Sequence, residues 1–217
     1  MKFSTIFLTM VAGGALACAA PVSFSVCPNV GNDTNGCELL ITVTAVNGSG
    51  MATAFTVATN SPDHGPFDGN DDTLIGITNG TSSAVKSIYL FGGVGGNIFG
   101  FDNDGACSGA YTPAPTSSEC GNSSQNPTGY GSETNVAGTV LPVTFTVGGL
   151  CGAGDTDCGT ALINGSTGLG SGQSTWFDLE GRVTGTSLTT PEPGSMALLG
   201  SGLAGLAFFA RKRRATR

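Results

Sequence analysis

Leu40-Ile41-Thr42-Val43-Thr44-Ala45-Val46 decides the fold class. Ile41, Val43 and Ala45 alternate with Thr42 and Thr44, and an extended chain sends alternate side chains to opposite faces. One face is apolar and the other carries hydroxyls. The same period-two reading recurs at Ala54–Thr59, Leu74–Thr78, Ala84–Phe91, Asn97–Phe101 and Val140–Val147. In Ser174–Glu180, Phe177 and Leu179 point one way while Trp176 and Asp178 point the other. Arg182–Leu188 closes the series. The runs are rich in Val, Ile, Thr and Phe and are punctuated by Gly, Asn and Asp turns. Residues 20–190 show no 3.6-residue periodicity. The expectation is an all-β domain over 20–188, a single antiparallel β-sandwich of jelly-roll or Ig-like type with about eight strands.

Two stretches interrupt this pattern. Residues 108–132 are Gly, Ser, Pro, Thr and Asn with few apolar side chains, and read as a long exposed loop pinned by Cys107 and Cys120. A boundary between two small β units is the other reading. Gly148–Gly172 is similarly Gly-rich. No internal repeat is found.

The chain has seven Cys, and setting Cys18 aside leaves Cys27, Cys37, Cys107, Cys120, Cys151 and Cys158. An even set in an exported protein implies disulfides. Spacing suggests that neighbours pair, each pair clipping one loop, although connectivity is not readable from sequence alone. A zinc site has no support, since no Cys-x-x-Cys occurs and the single His, His64, is far from every Cys. Residues 20–190 hold fourteen acidic residues against Lys86 and Arg182, a net charge of −12. Such a domain repels nucleic-acid phosphates, which excludes that partner, and it attracts divalent cations.

The two ends differ from the body. Met1-Lys2, an apolar Ile6–Leu16 and the small residues Ala17-Cys18-Ala19-Ala20 read as a secretory signal peptide over 1–19, cleaved after Ala19. A second reading makes Cys18 a lipidated residue. At the other end, over 189–217, Pro191-Glu192-Pro193-Gly194 precedes an uncharged run, Ser195–Ala210, and then Arg211-Lys212-Arg213-Arg214. A helix over 195–210 is about 25 Å long, at the short end of what crosses a bilayer. The basic cluster favours the cytoplasmic side and acts as a stop. The expectation is a C-terminal transmembrane helix.

The order of these three parts closely resembles the PEP-CTERM sorting signal of Gram-negative bacteria. The resemblance covers roughly the last eighth of the chain. It implies export, a transient stay in the inner membrane, and processing by an exosortase, a membrane-embedded enzyme with a Cys active site. Pro191, Glu192 and Pro193 match the recognition motif. It further implies a bacterium that makes extracellular polysaccharide, and so a place on the cell surface or in a biofilm. Three islands in the body (Asp71–Asn79, Phe99–Gly105 and Ser174–Glu180) are similar to segments recurring in PEP-CTERM cargo proteins.

Candidate chemistry is sparse. His64 lies in the turn-like Ser61-Pro62-Asp63-His64-Gly65-Pro66, and no Gly-x-Ser-x-Gly elbow accompanies it. A pair of glycosidase carboxylates cannot be read from sequence, and one Trp and three Tyr make a poor sugar platform. Asp68-Gly69-Asn70-Asp71-Asp72 and Asp102-Asn103-Asp104-Gly105 place oxygen ligands on Gly-containing turns. Neither completes an EF-hand loop: Asn79 and Pro113 stand where its closing Glu belongs. Two readings stay open, Asx-turn chemistry between strands and a calcium site that staples the loops before Leu74 and after Phe101. Asp155 and Asp157 form a weaker cluster. Five Asn-x-Ser/Thr sequons, at Asn32, Asn47, Asn79, Asn122 and Asn164, follow from composition. The expectation is a non-enzymatic, exosortase-sorted envelope or matrix protein with a structural or adhesive role in polysaccharide. A calcium-dependent carbohydrate- or ligand-binding module is the alternative, and a secreted hydrolase the third reading.

Overall fold

The structure is a computed structural model that describes residues 24–60, 65–114, 120, 130, 141–184 and 188. Eight strands run in chain order: β1 (Leu39–Val46), β2 (Ala52–Thr59), β3 (Thr73–Asn79), β4 (Ser87–Phe91), β5 (Val143–Gly149), β6 (Gly152–Ala153), β7 (Cys158–Ile163) and β8 (Ser174–Leu179). They form two four-stranded sheets, ordered β2-β1-β3-β8 and β4-β7-β5-β6. One core lies between them. Leu39, Ile41 and Val43 of β1, Ile75 and Ile77 of β3, and Phe177 and Leu179 of β8 pack there. Ile88 and Leu90 of β4, Val143 of β5, and Ala161 and Ile163 of β7 meet them. The alternation in β1 and β8 therefore does what the sequence promised, whereas Val147 of β5 is exposed and β3 is buried on both faces. Ile41, Val43, Phe177 and Leu179 turn inward and Trp176 turns away.

The expectation of a purely antiparallel sandwich fails at one pair. β1 and β3 run parallel, with Leu39 opposite Ile75 and Ile41 opposite Ile77, while the other named strand pairs are antiparallel. β2 folds back on one side of β1. β3 lies on the other side of β1 and runs in the same direction. That order departs from both jelly-roll and Ig-like sheets. Parallel pairs are favoured where both sheet faces are covered, and here both are. In β3 every residue but Thr78 is buried, and β8 is buried from Thr175 to Leu179.

The cover on the outer face is a second, smaller core. Cys27, Val30, Cys37, Phe67, Ala106 and Cys120 pack on Leu74 and Trp176. Disulfides Cys27–Cys37 and Cys107–Cys120 sit in this layer, and Cys151–Cys158 clips the hairpin region around β6 and β7. All three are neighbour pairs, as the spacing suggested. Gly76 is where the cover presses closest. A Cβ there would stand 2.5 Å from Val26 Cγ1 and 2.6 Å from Cys37 Sγ.

Four local expectations are corrected. Asn97–Phe101 is a turn, not a strand. Asn97 has φ +50°, and Asp157 accepts the N–H groups of Gly95 and Asn97 at 2.6 and 2.9 Å. Glycines on both flanks let the backbone curl, and Ile98 and Phe99 enter the core as plugs. Arg182–Leu188 contributes Val183 and Leu188 to the core but no described strand, because Gly181 at φ +81° ends β8. The Gly-rich 148–172 stretch contains β6 and β7. Gly159 in β7 is needed because the Phe99 ring lies 2.8 Å from where its Cβ would be. Within 108–132, a loop expected to be exposed, Cys120 and Tyr130 are buried. Among the described residues no helix is long and apolar enough to cross a membrane. The expected helix over 195–210 lies outside them.

Candidate functional site

At the edge of the outer cover, three separate segments bring acidic residues to one place. The first is the turn before β3. There Asp68 Oδ1 accepts the N–H groups of Asn70, Asp71 and Asp72 at 2.9, 3.1 and 3.1 Å. This is Asx-turn chemistry, and it aims Asp72 inward, where it is buried. The second segment is Asp102-Asn103-Asp104, after Phe101. Asn103 takes φ +83°, a left-handed conformation that asparagine tolerates, so the chain reverses and presents both carboxylates. The third is the end of β8. There the outward register that buries Trp176 also carries Asp178 and, beyond the strand, Glu180.

Carboxylate oxygens of Asp68, Asp72 and Asp104 lie within 4.8 Å of one another, as do those of Asp71, Asp72 and Glu180, and those of Asp102, Asp104 and Glu180. The five aspartates singled out in the sequence thus converge. Glu180, Asp178 and Tyr130 join them. The Tyr130 hydroxyl is 2.6 Å from Asp104 Oδ1 and 3.2 Å from Asp72 Oδ1. It is 3.4 Å from Asp102 Oδ1 and also donates to Glu180 Oε2. One O–H proton therefore faces oxygens of four carboxylates. Asp178 is fully buried. Its Oδ2 accepts the Ala106 N–H at 2.7 Å, while its Oδ1 has no hydrogen-bond partner among the described residues. The period-two face of β8 was the signal for Asp178 and Glu180. Tyr130 had none, because it stands alone in a polar stretch.

The electrostatics follow from crowding of like charges in a dry place. Burial pushes the Asp72 carboxyl up to about 9, helped by Asp178, Asp104, Glu180 and Asp68. Burial pushes Asp178 up to about 8, against the opposing Ala106 N–H, with Asp104 and Glu180 adding to the rise. Glu180 and Asp71 are also raised, first by burial. Asp102 is raised first by the hydrogen bond it shares with Asp104. Burial, then the Asp104 and Glu180 carboxylates, hold the Tyr130 phenol far above its ordinary range. The arrangement can bind a hard cation or hold protons.

The other singled-out residues fall elsewhere. Asp155 and Asp157 are occupied in turns, with Asp155 Oδ1 accepting the Asp157 N–H at 3.0 Å. Asn79 is buried and donates to the Ser83 and Leu169 carbonyls at 2.7 Å each, so its sequon is structural. His64, Asn122, the 1–19 signal segment, Pro191–Gly194, Ser195–Ala210 and Arg211–Arg214 lie outside the described residues.

Comparison with known proteins bears on the C-terminal segment. No curated protein and no solved structure matches the chain. Residues 189–214 match the family described as the PEP-CTERM protein-sorting motif. That span contains Pro191-Glu192-Pro193, the uncharged run and the basic cluster through Arg214. The motif implies exosortase processing and export through the membrane to the cell surface or extracellular space. The chain thus carries a PEP-CTERM protein-sorting motif behind an acidic two-sheet β domain.

Proposed function

We propose that this protein is a non-enzymatic component of the cell surface or extracellular polysaccharide matrix, with a structural or adhesive role. The observation that carries the reading is the sorting motif at 189–214 behind a domain closed by three disulfides. Disulfides suit an oxidising compartment and brace loops that a modest core leaves open. A net charge of −12 over residues 20–190 keeps the domain soluble at high local concentration. Exosortase, the secretion machinery and, transiently, the inner membrane are its partners in transit. Extracellular polysaccharide is the partner at its destination.

The test is fractionation of cells that produce the full chain, Glu192→Ala, or a truncation after Thr190. The natural chain should reach the surface and matrix fractions and co-sediment with isolated polysaccharide. Glu192→Ala should accumulate in the inner membrane, and the truncated chain should appear free outside it. A natural chain that reaches the surface yet ignores polysaccharide would remove the matrix role and leave the sorting intact.

A further inference from the structure

We propose that the acidic hub is a calcium site, and that one ion joins the turn before β3, the turn after Phe101 and the end of β8 into a single unit. Three overlapping triads supply the first argument. Within each triad, one oxygen from every residue lies within 4.8 Å of the other two. An ion bonded to oxygen at 2.3–2.6 Å holds ligands no more than about 5 Å apart. Each two of the triads share one residue, Asp72, Asp104 or Glu180, so the three adjoin and the proposed ion lies where they meet.

The second argument is independent of the cluster. Asp178 is fully buried behind it, and Oδ1 of its carboxylate has no partner among the described residues. The Ala106 N–H fixes the other oxygen. Asp178 stands opposite Leu74 in the β3–β8 register, two residues from Asp72, and shares the face of Glu180, which places its carboxylate beside the hub. A buried carboxylate oxygen without a donor is costly, and a cation nearby offsets that cost. Tyr130 makes the same point from the opposite side. Its one proton cannot serve the oxygens of four carboxylates that surround it.

Ligand chemistry selects the ion. The hub is all oxygen, and the cysteines of the adjacent cover are tied up in disulfides, so soft metals have nothing to bind. Magnesium demands a near-ideal octahedron and keeps its waters. Calcium takes six to eight oxygens in loose geometry. Asp71 and Asp102 are exposed at the rim, which leaves a path for the ion. An exported protein meets abundant calcium, so an affinity typical of extracellular modules is sufficient.

The full-length protein, disulfides oxidised and stripped with a chelator, is titrated with calcium chloride in a calorimeter and melted at each step. Saturable binding is expected with a Kd at or below about 1 mM. The melting midpoint should rise by roughly 5–10 °C when calcium is a hundredfold above Kd. Sodium chloride at matched ionic strength should not reproduce the rise. Asp104→Asn with Glu180→Gln should weaken binding at least tenfold. Because that pair sits in a packed region, Asp71→Asn at the exposed rim is the second variant. It should weaken binding while leaving the calcium-free midpoint in place. No saturable heat at about 10 mM calcium, tenfold above the weakest expected affinity, overturns the proposal. So does an equal response to sodium. Neither result touches the sorting reading.

Discussion

The carboxylate of Asp178 accepts the amide N–H of Ala106 at 2.7 Å across 72 residues of sequence. Both residues are fully buried. This bond fastens the 3₁₀ turn Ala106–Ser108, and with it Cys107, to the outer face of β8. It also holds a carboxylate in a place where charge is expensive.

Two substitutions at Asp178 separate the bond from the charge. Asp178→Asn keeps an oxygen for Ala106 and removes the charge, so in chelator the melting midpoint should rise by about 2–6 °C. Asp178→Leu also removes the charge but strands the Ala106 N–H. It should be less stable than the Asn variant by about 1–3 kcal/mol. Equal midpoints for the two variants would show that the bond contributes nothing.

The pH dependence of the calcium-free protein should run opposite to that of ordinary carboxylates. Asp72 and Asp178 are pushed up to about 9 and about 8 from an ordinary 3.8, with Asp104 and Glu180 facing both. In the unfolded chain these groups lose their protons near pH 4, and in the folded chain they keep them. The folded state therefore binds more protons between those limits, and stability falls as pH rises. The contribution is fully present below about pH 4 and lost above about pH 9. For Asp178, urea melts in chelator should lose about 2–4 kcal/mol from pH 5 to pH 8. Calcium, which binds the deprotonated carboxylates, should flatten this slope. A flat profile in chelator would contradict it.

Gly76 has no room to grow. A Cβ would meet Val26 Cγ1 at 2.5 Å, Cys37 Sγ at 2.6 Å and Leu40 Cδ1 at 2.8 Å. Gly76→Ala should push the N-terminal segment off β3 and cost about 1–3 kcal/mol. Trp176, opposite Gly76 in β8 and buried beneath the same cover, reports the change. Its emission should shift to the red.

Cys27 and Cys37 close a short loop over the outer face of the first sheet. Replacing both with Ala should cost about 2–4 kcal/mol by chemical denaturation. The loss should also loosen the acidic hub, because the same cover packs Phe67, one residue before Asp68. Calcium affinity should fall along with stability. A full loss of stability with unchanged affinity would show that the hub does not depend on this clip.

Much of this is legible in the amino-acid sequence. Strand faces in β1 and β8 follow from alternation, since a one-residue change of register would move Ile41 or Phe177 into the wrong layer. Neighbouring cysteines pair because short spacings bring them within reach. The tail is legible because its three parts act in linear order and need no fold. β7 was hidden because Gly159 and the flanking glycines look like loop. Only the Phe99 ring above Gly159 explains why a glycine belongs in that strand. Asn97–Phe101 misled for the reverse reason: its apolar residues are buried from a turn.

Periodicity and composition are local properties, so they told which side chains face inward, which cysteines meet and where the protein is sent. They carry no information about which strand lies beside which. The parallel β1–β3 pair is a choice of neighbour, and the covered outer face depends on where Phe67 and the Cys107 turn come to rest. The acidic hub is the same kind of fact. Asp72, Asp104 and Glu180 are distant in the chain, and their oxygens meet because packing on Trp176 and Leu74 brings the three segments that carry them to one edge of a sheet.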